Sequence, residues 1–295
     1  MTNFDNLYRI IKQHSKICGI SSDEINYAKS LVNNKCKDNS VFICEGLWAV
    51  EKLIEKNIKV THFYFNQEKI DSGNESNENL EKIAKMVKFA DNSYSISAKS
   101  CKKISDRDGF DEYFIVAKQP LYSLEDFDKM IENNNDILAI VMDGLEQPGN
   151  IGAILRSFDC AGGDFAIITN RQAKLTNSRL VRASLGASFM IPALEVDIDT
   201  AQAWLENNNF KCVVTDLQAK KSFQEADYQG RIAIVAGNEH TGISPSWRKV
   251  KNAESIIIPM LGSCESLNVG FASTLVAYEA GLKKHKYNDW LNNRK

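Results

Sequence analysis

The sequence lacks the cysteine spacing that a zinc site or a disulfide framework requires. Its seven cysteines are odd in number and widely spaced, and no two of them form a CxxC pair. This pattern predicts reduced, buried thiols and no metal site. The chain also has no run of about 18 apolar residues, which argues against a membrane span. Because its polar start carries no apolar signal core, we expect a cytoplasmic location.

The chain has little net charge, because it contains 36 basic and 38 acidic residues and its formal net charge is −2. This composition argues against a generic nucleic-acid binder, so any RNA-binding surface must be a local patch. The candidate basic positions are Lys99, Lys102, Lys103, Arg107, Arg179 and Arg182. Each cluster by itself is explained by a solvated surface, and only a position beside a catalytic site would favour RNA binding.

The two commonest nucleotide-binding fingerprints are also missing. No GxxxxGK[ST] motif occurs, which excludes a P-loop. Gly144, Gly149 and Gly152 do not form a GxGxxG sequence, so an ordinary dinucleotide-binding fold has no signature either.

The order of apolar runs and amphipathic stretches predicts an α/β protein of two domains. Residues 1–38 form a polar helical extension, residues 39–120 a small α/β sandwich, residues 121–135 a linker with a short helix, and residues 136–295 a second α/β domain. Strands are expected at 41–44, 59–65, 113–117, 137–142, 165–169, 212–215, 232–236 and 256–258. Helices of the second domain are expected at 151–160, 201–207 and 269–282. The continuous Val and Ile runs of this domain predict a parallel sheet covered by helices.

Three segments of the second domain share one layout, in which a strand ends in a polar turn that contains glycine. They are residues 141–156 (VMDGLEQPGNIGAILR), 232–244 (IAIVAGNEHTGIS) and 256–270 (IIIPMLGSCESLNVG). Because α/β proteins bind ligands at the carboxyl ends of their parallel strands, these turns predict a ligand site.

In the first segment, Pro148 and Gly149 predict a tight turn and Asn150 a helix N-cap. Arg156 borders an apolar helix face, so it requires an anionic partner, which is either a buried carboxylate or a substrate phosphate. In the second segment, Gly237 allows close approach of a ligand to the backbone. Glu239 either orients a base or holds Arg156.

His240 is expected to be a surface or packing residue. The third segment places Ser266 and Asn268 at the start of a helix, where backbone N–H groups also point outward. A capping role for Ser266 is compatible with a functional one.

Taken in this order and spacing, the segments resemble the three signature motifs of the SpoU-type (TrmH-like, SPOUT) RNA ribose 2′-O-methyltransferases. The resemblance implies a C-terminal parallel-sheet domain with a deep trefoil knot, a bound S-adenosylmethionine and a homodimer. Residues 42–50 (FICEGLWAV) resemble the start of the L30e-like RNA-binding domain that many members carry. Carried over position by position, the catalytic residues are Arg156, Asn150, Glu239, Ser266 and Asn268, and the cofactor-binding residues are Gly237, Ile258 and Leu267.

The activity that the resemblance implies is methylation of a ribose 2′-hydroxyl in structured RNA, with ribosomal RNA favoured over transfer RNA. Because a guanidinium is a poor base, we interpret Arg156 as a clamp on the RNA phosphate that stabilises the developing alkoxide, with proton loss through that phosphate. No metal is needed. A catalytically silent RNA-binding protein and a SPOUT base methyltransferase remain as alternatives. The sequence departs from the family pattern at Gly270, usually serine, and at His240, usually glycine.

Overall fold

The structure is a computed structural model that describes residues 3–105, 107, 109 and 112–284. Two compact units are present. The first contains the chain up to Pro120 together with Leu175–Gly186, and the second contains Leu121–Lys174 and the chain from Ala187 onward. In the described part, no helix is long and apolar enough to cross a membrane. All seven cysteines are free.

The first unit is built on a five-stranded mixed sheet of order β1-β4-β3-β5-β2. Its strands are β1 (Lys16–Ile17), β2 (Val41–Glu45), β3 (Val60–Asn66), β4 (Asn92–Ile96) and β5 (Tyr113–Lys118). Strand β5 runs antiparallel to both β2 and β3, whereas β4 runs parallel to β3 and β1. The helices are α1 (Asn3–Gln13), α2 (Asp23–Val32), α3 (Val50–Glu55), α4 (Gln67–Asp71), α5 (Asn77–Phe89), α6 (Ala98–Ile104) and α9 (Ser178–Ser184).

The apolar pattern located the central strands of this unit but not β4 or α6. Strand β4 reads NSYSI, and its buried positions include Ser93 and Ser95, so its apolar signal is weak. Helix α2 begins after Ser22, whose side chain accepts a hydrogen bond from the N–H of Ile25 at 3.3 Å.

Helix α9 joins this unit although it lies far along the chain. The Ser178 hydroxyl donates to the carbonyl of Val32 at 2.6 Å, and the Ser178 N–H donates to Asn34 Oδ1 at 2.9 Å. Lys52 Nζ donates to the carbonyl of Leu185 at 2.6 Å, where the backbone adopts a left-handed conformation. The first unit therefore includes Leu175–Gly186, which lies outside the predicted domain bounds of 39–120. The assignment of an L30e-like domain stays a prediction.

The second unit contains a seven-stranded sheet of order β10-β12-β9-β11-β6-β7-β8. Its strands are β6 (Ile137–Asp143), β7 (Phe165–Thr169), β8 (Ala193–Glu195), β9 (Lys211–Thr215), β10 (Lys221–Ser222), β11 (Arg231–Ala236) and β12 (Ala253–Ile257). All neighbouring strands pair in parallel, which confirms the predicted parallel sheet. The helices are α7 (Leu124–Ile131), α8 (Pro148–Cys160), α10 (Ala187–Met190), α11 (Ile198–Asn207) and α12 (Val269–Lys284).

Aromatic residues fill the core between α7, α11 and this sheet. The rings of Phe127 and Phe165 lie 4.4 Å apart, and Trp204 meets Phe165 edge-on at 5.8 Å. The residues expected to form a linker thus contribute a core helix, which begins with a capping box between Ser123 and Asp126.

Helix α8 begins three residues earlier than predicted. Pro148 is its first residue and Gln147 precedes it as the N-cap. Pro148 is compatible with this position because the first N–H groups of a helix have no partner within the helix. The expected turn at Pro148 and Gly149 and the expected N-cap at Asn150 were therefore wrong, since Asn150 is the third helical residue.

Small residues let α8 and α12 approach closely. The hydroxyl of Thr274 donates to that of Ser157 at 2.8 Å. One end of this contact places Gly270 opposite Ala153, and the other places Gly281 opposite Ala161. A Cβ atom on Gly281 would lie 2.1 Å from the carbonyl oxygen of Ala161, so only glycine fits there. This contact holds the start of α12 beside the start of α8.

We expect Gly281→Ala to destabilise the protein by about 1–3 kcal/mol, because the added methyl group must displace backbone. Alanine has a higher helix propensity than glycine, so propensity alone would raise the free energy of unfolding. A lower free energy of unfolding would therefore indicate the steric clash. The matched control is Gly149→Ala in α8, where an added Cβ meets no atom within 4 Å. Urea unfolding of both variants is the measurement, and a Gly281 variant as stable as the wild type would contradict the close helix contact.

Candidate active site

The ends of three neighbouring strands, β9, β11 and β12, line one cavity of about 440 Å³ in the second unit. The segments that follow β11 and β12 supply most of its wall, and the start of α12 closes it. The residues that line the cavity are Thr215, Asp216, Leu217, Gly237, Asn238, Glu239, His240, Gly242, Ile256, Ile257, Ile258, Met260, Ser266, Leu267, Asn268, Val269 and Ala272. This position, at the carboxyl ends of parallel strands, is the one that the sequence predicted.

All three residues predicted to bind the cofactor, Gly237, Ile258 and Leu267, line this cavity. Of the predicted catalytic residues, Glu239, Ser266 and Asn268 line it as well. Asn150 and Arg156 are not part of the lining, although Asn150 is connected to it by hydrogen bonds.

The carboxylate of Glu239 joins the segment after β11 to the start of α8. It accepts hydrogen bonds from Asn150 Nδ2 at 2.9 Å and from the N–H groups of Glu146 at 3.1 Å and Gln147 at 3.2 Å. Burial acts to raise the pKa of Glu239, but these hydrogen bonds outweigh it and hold the pKa below its ordinary value of 4.5. Among the described residues, Glu239 forms no ion pair with Arg156, and its oxygens are engaged by Asn150 and the backbone. A role for this carboxylate in orienting a base stays a prediction.

Asn150 and Asn268 continue this chain of hydrogen bonds. Asn268 Nδ2 donates to Asn150 Oδ1 at 3.2 Å, and Asn268 Oδ1 accepts from the N–H of Gly270 at 2.9 Å. Asn268 therefore satisfies an N–H group in the first turn of α12. A Cβ on Gly270 would lie 3.0 Å from Asn268 Oδ1, so glycine leaves room for this side chain.

Arg156 is exposed on α8. Among the residues that the structure describes, none forms a hydrogen bond or an ion pair with its guanidinium. Of the two anionic partners that the sequence left open, the buried carboxylate is thus not found in the described part of the chain. The guanidinium is available for a ligand.

Gly237 is required by the protein's own backbone. A Cβ at this position would lie 2.3 Å from the nitrogen of Ile243 and 2.6 Å from the carbonyl oxygen of Gly242. The turn that causes this approach is closed by two backbone hydrogen bonds between Asn238 and Gly242, of 2.9 and 3.0 Å. The side chain of Asn238 fixes the same turn, because its Oδ1 accepts from the N–H groups of His240 and Thr241.

Ser266 and His240 both expose their side chains at the cavity. Within the described residues, neither side chain forms a hydrogen bond, so the helix-capping role considered for Ser266 belongs to Asn268. His240 is a surface residue, as expected, but one that lines the cavity.

The segment after β9 was missed by the sequence analysis. Thr215, Asp216 and Leu217 line the cavity, and the Asp216 carboxylate accepts a hydrogen bond from Arg248 Nε at 2.6 Å. This hydrogen bond, more than any other influence, lowers the pKa of Asp216 below its ordinary value of 3.8. The available signal was that Asp216 directly follows a predicted strand that neighbours β11.

A buried carboxylate, Asp143, was also missed, and it orders the loops around this edge of the sheet. Its Oδ1 accepts from Thr169 Oγ1 at 2.9 Å and from Asn170 Nδ2 at 2.8 Å, and its Oδ2 accepts from the N–H of Ser244 at 2.8 Å. Since Asp143 is 2% exposed, its role is structural.

The candidate RNA-binding residues lie in the first unit. Lys99, Lys102 and Arg179 are exposed, whereas Lys103 donates to the carbonyl of Ile20 and to Asn26 and is thus engaged in the fold. Arg107 and Arg182 both contact the buried carboxylate of Glu45, at 3.3 and 3.4 Å. The Glu45 carboxylate therefore holds both guanidiniums close together.

The cavity suits a nucleoside ligand with an amino-acid tail. Its volume lies within the usual range of small-molecule sites. Apolar side chains, among them Leu217, Ile256 and Leu267, can contact a purine, and carboxylate, amide and hydroxyl groups also line the cavity. The described residues contain no group of three or more side chains that could hold a metal ion.

Comparisons with known proteins agree with these features. The sequence model of the SpoU rRNA Methylase family matches residues 137–278. A candidate TrmH family tRNA/rRNA methyltransferase of Staphylococcus saprophyticus is 33% identical over 175 residues, which are 57% of this chain and 69% of that protein.

Solved structures are similar over most of the chain. An RNA 2′-O ribose methyltransferase has a TM-score of 0.76 at 27% identity, covering 91% of this chain and 98% of the other. The AdoMet-bound rRNA methyltransferase of Sinorhizobium meliloti has a TM-score of 0.79 at 21% identity, covering 92% and 99%, and shows the same fold. Together with the three motifs around one cavity, these similarities establish that the chain belongs to the SpoU/TrmH family of RNA methyltransferases.

Proposed function

We propose that this protein transfers a methyl group from S-adenosylmethionine to a ribose 2′-hydroxyl of structured RNA. The observation that carries the proposal is the chain of hydrogen bonds from Glu239 through Asn150 to Asn268, beside a cavity that suits the cofactor. The similarity to an RNA 2′-O ribose methyltransferase at 27% identity supports the ribose as the acceptor. The description of the matching family supports ribosomal RNA over transfer RNA.

In this proposal the residues of the chain mainly bind and orient the reactants. When bound, the cofactor supplies a methyl group that its sulfonium already activates. Arg156, which has no carboxylate partner in the described part of the chain, binds the phosphate next to the target ribose and stabilises charge that develops on the 2′-oxygen. Ser266 and Asn268 orient that hydroxyl. As the 2′-oxygen accepts the methyl group, its proton is lost through the phosphate that Arg156 holds.

RNA recognition is proposed for the first unit. Arg107 and Arg182 are held by Glu45 with about a third of each side chain exposed (34% and 35%), which suits contact with phosphate oxygens. Lys99, Lys102 and Arg179 add exposed positive charge. Lys103 contributes less, because its ammonium group already has two partners.

A homodimer is proposed through α12. Four large apolar side chains of this helix are exposed at a spacing of four, three and four residues: Phe271 (69%), Leu275 (44%), Tyr278 (41%) and Leu282 (52%). This spacing places them on one helix face. A contiguous apolar face of this kind favours association with another protein surface, and a second copy of the chain is the occupant that the family resemblance implies. The trefoil knot, formed by the segments after β11 and β12, and the cytoplasmic location are further expectations.

We expect S-adenosylmethionine to bind at about one site per chain. Isothermal titration measures this, and Leu267→Asp should remove most of the binding by placing a charge in the apolar part of the cavity. No heat of binding with folded wild-type protein would reject the cofactor and favour the silent RNA-binding alternative.

Arg156→Ala should reduce methyl transfer by about 10²–10³-fold while cofactor binding stays close to that of the wild type. The acceptor is total RNA from a strain that lacks the protein, and the modified nucleoside is identified chromatographically. Asp159→Ala, an exposed position one turn further along α8, is the matched control. Turnover of the Arg156 variant near the wild-type rate would show that this residue does not contact the RNA, and a methylated base would favour the base methyltransferase.

Glu239→Gln should lower the free energy of unfolding at pH 7 by about 1–3 kcal/mol, because an amide cannot accept from all three donors. The pKa of Glu239 is lowered in the folded protein, so its contribution is complete above the ordinary value of 4.5 and is lost as pH falls below it. The stability difference between wild type and variant should therefore shrink in acid. Glu265→Gln, exposed in the segment after β12, is the control, and equal stability of wild type and Glu239→Gln at pH 7 would contradict the role.

Phe271→Asp should convert the dimer into a monomer, because it places a charge on the apolar face of α12 at the most exposed of its four large side chains. Light scattering after gel filtration gives the mass. Leu121→Asp, which is 82% exposed and lies outside α12, should leave the mass unchanged. A wild-type protein that is monomeric at micromolar concentration would reject the proposed interface.

A further inference from the structure

Two acidic side chains line the cavity among the described residues, Asp216 and Glu239, and they are held in different ways. The oxygens of Glu239 accept hydrogen bonds from Asn150 and from two backbone N–H groups, which ties this carboxylate to the start of α8. Asp216 follows β9 and lies outside the three motifs, and the proposed mechanism gives its side chain no role. Its carboxylate is therefore a group whose function the proposed mechanism does not explain.

The orientation of Asp216 is set by the protein itself. Its Oδ2 accepts from Arg248 Nε at 2.6 Å and its Oδ1 accepts from the N–H of Gln218 at 3.0 Å. Its own N–H donates to the carbonyl of Ile256 at 2.9 Å. The Asp216 side chain is only 8% exposed, whereas the Arg248 side chain is 39% exposed. Asp216 is also one of the residues that line the cavity. Since each carboxylate oxygen can accept more than one hydrogen bond, both oxygens can still accept from a ligand.

The charge of this pair indicates which ligand group it suits. Asp216 and Arg248 together carry no net charge, so the pair matches neutral hydroxyl donors better than an ammonium group. A carboxylate at the end of a strand in α/β nucleotide-binding proteins commonly accepts from ribose hydroxyls. The neighbouring side chains of Leu217, Ile256 and Ile257 are apolar, as contact with an attached purine requires.

We propose that Asp216 binds the ribose hydroxyls of the nucleoside cofactor and that Arg248 is a positioning residue that holds the Asp216 carboxylate. This inference rests on the proposed function. It adds a cofactor-recognition residue directly after β9 that the three sequence motifs do not contain.

The test is isothermal titration of the full-length protein with two probes, S-adenosylmethionine and 5′-methylthioadenosine, which shares the ribose and purine but has no amino-acid tail. Asp216→Asn should weaken the binding of both probes by a similar factor of about 10–100, the usual effect of losing hydrogen bonds to a charged group. Arg248→Ala should weaken both by a smaller factor, and Arg248→Lys should restore part of the loss. Lys249→Ala and Asp199→Asn, both exposed outside the cavity lining, should bind as the wild type does.

The double variant Asp216→Asn/Arg248→Ala separates the two roles. If Arg248 acts only through Asp216, the double variant binds as weakly as Asp216→Asn alone. Additive losses would overturn the positioning role of Arg248, and a loss confined to S-adenosylmethionine would overturn the assignment to the ribose.

Wild-type affinity in a folded Asp216→Asn variant would reject the inference while leaving the proposed function intact. No binding of S-adenosylmethionine by the wild type would reject the proposed function instead. A melting curve for each variant establishes that it is folded, and Asp216→Ser replaces Asp216→Asn if the latter does not fold.

Discussion

The carboxylate of Glu239 is the group on which the arrangement of the candidate active site depends. It accepts hydrogen bonds from the side chain of Asn150 and from two backbone N–H groups that precede α8. These N–H groups lie where a helix start leaves donors without partners. A single ionised side chain thus stabilises the first turn of one helix and fixes the segment that follows β11. Asn150 then passes the constraint to Asn268 and to the start of α12.

Close backbone approach is the second condition for this geometry. Gly281 lets α12 meet the carbonyl of Ala161, and Gly237 lets the turn from Asn238 to Gly242 fold back on its own strand. A methyl group at either position would overlap backbone atoms, which cannot move as the end of a flexible side chain can. These glycines therefore act through the fold, and the cavity is a consequence of the approach that they permit.

The arginines of the chain differ in whether a carboxylate partner holds them. Arg248 is paired with Asp216, Arg171 with Glu195, and both Arg107 and Arg182 with Glu45. The guanidinium of Arg156 has no such carboxylate in the described part of the chain. A guanidinium is charged at any physiological pH, so an exposed one without a carboxylate partner among the described residues is suited to a phosphate. At Glu45, one buried carboxylate positions two guanidiniums that are each about one-third exposed.

The sequence by itself determined the parallel sheet of the second unit and the edge of that sheet at which the candidate site lies. Val and Ile runs that end in glycine-bearing turns have few other stable arrangements, and the carboxyl ends of parallel strands meet at one edge. Local pattern was insufficient for β4, whose buried serines give a weak apolar signal, and for α9, whose partners Val32 and Asn34 lie far away in sequence. It was also insufficient for the partners of Asn150, Glu239 and Asp216, because a side-chain hydrogen bond between distant segments depends on how the strands and helices are placed in space. Those contacts were decided by the tertiary structure alone.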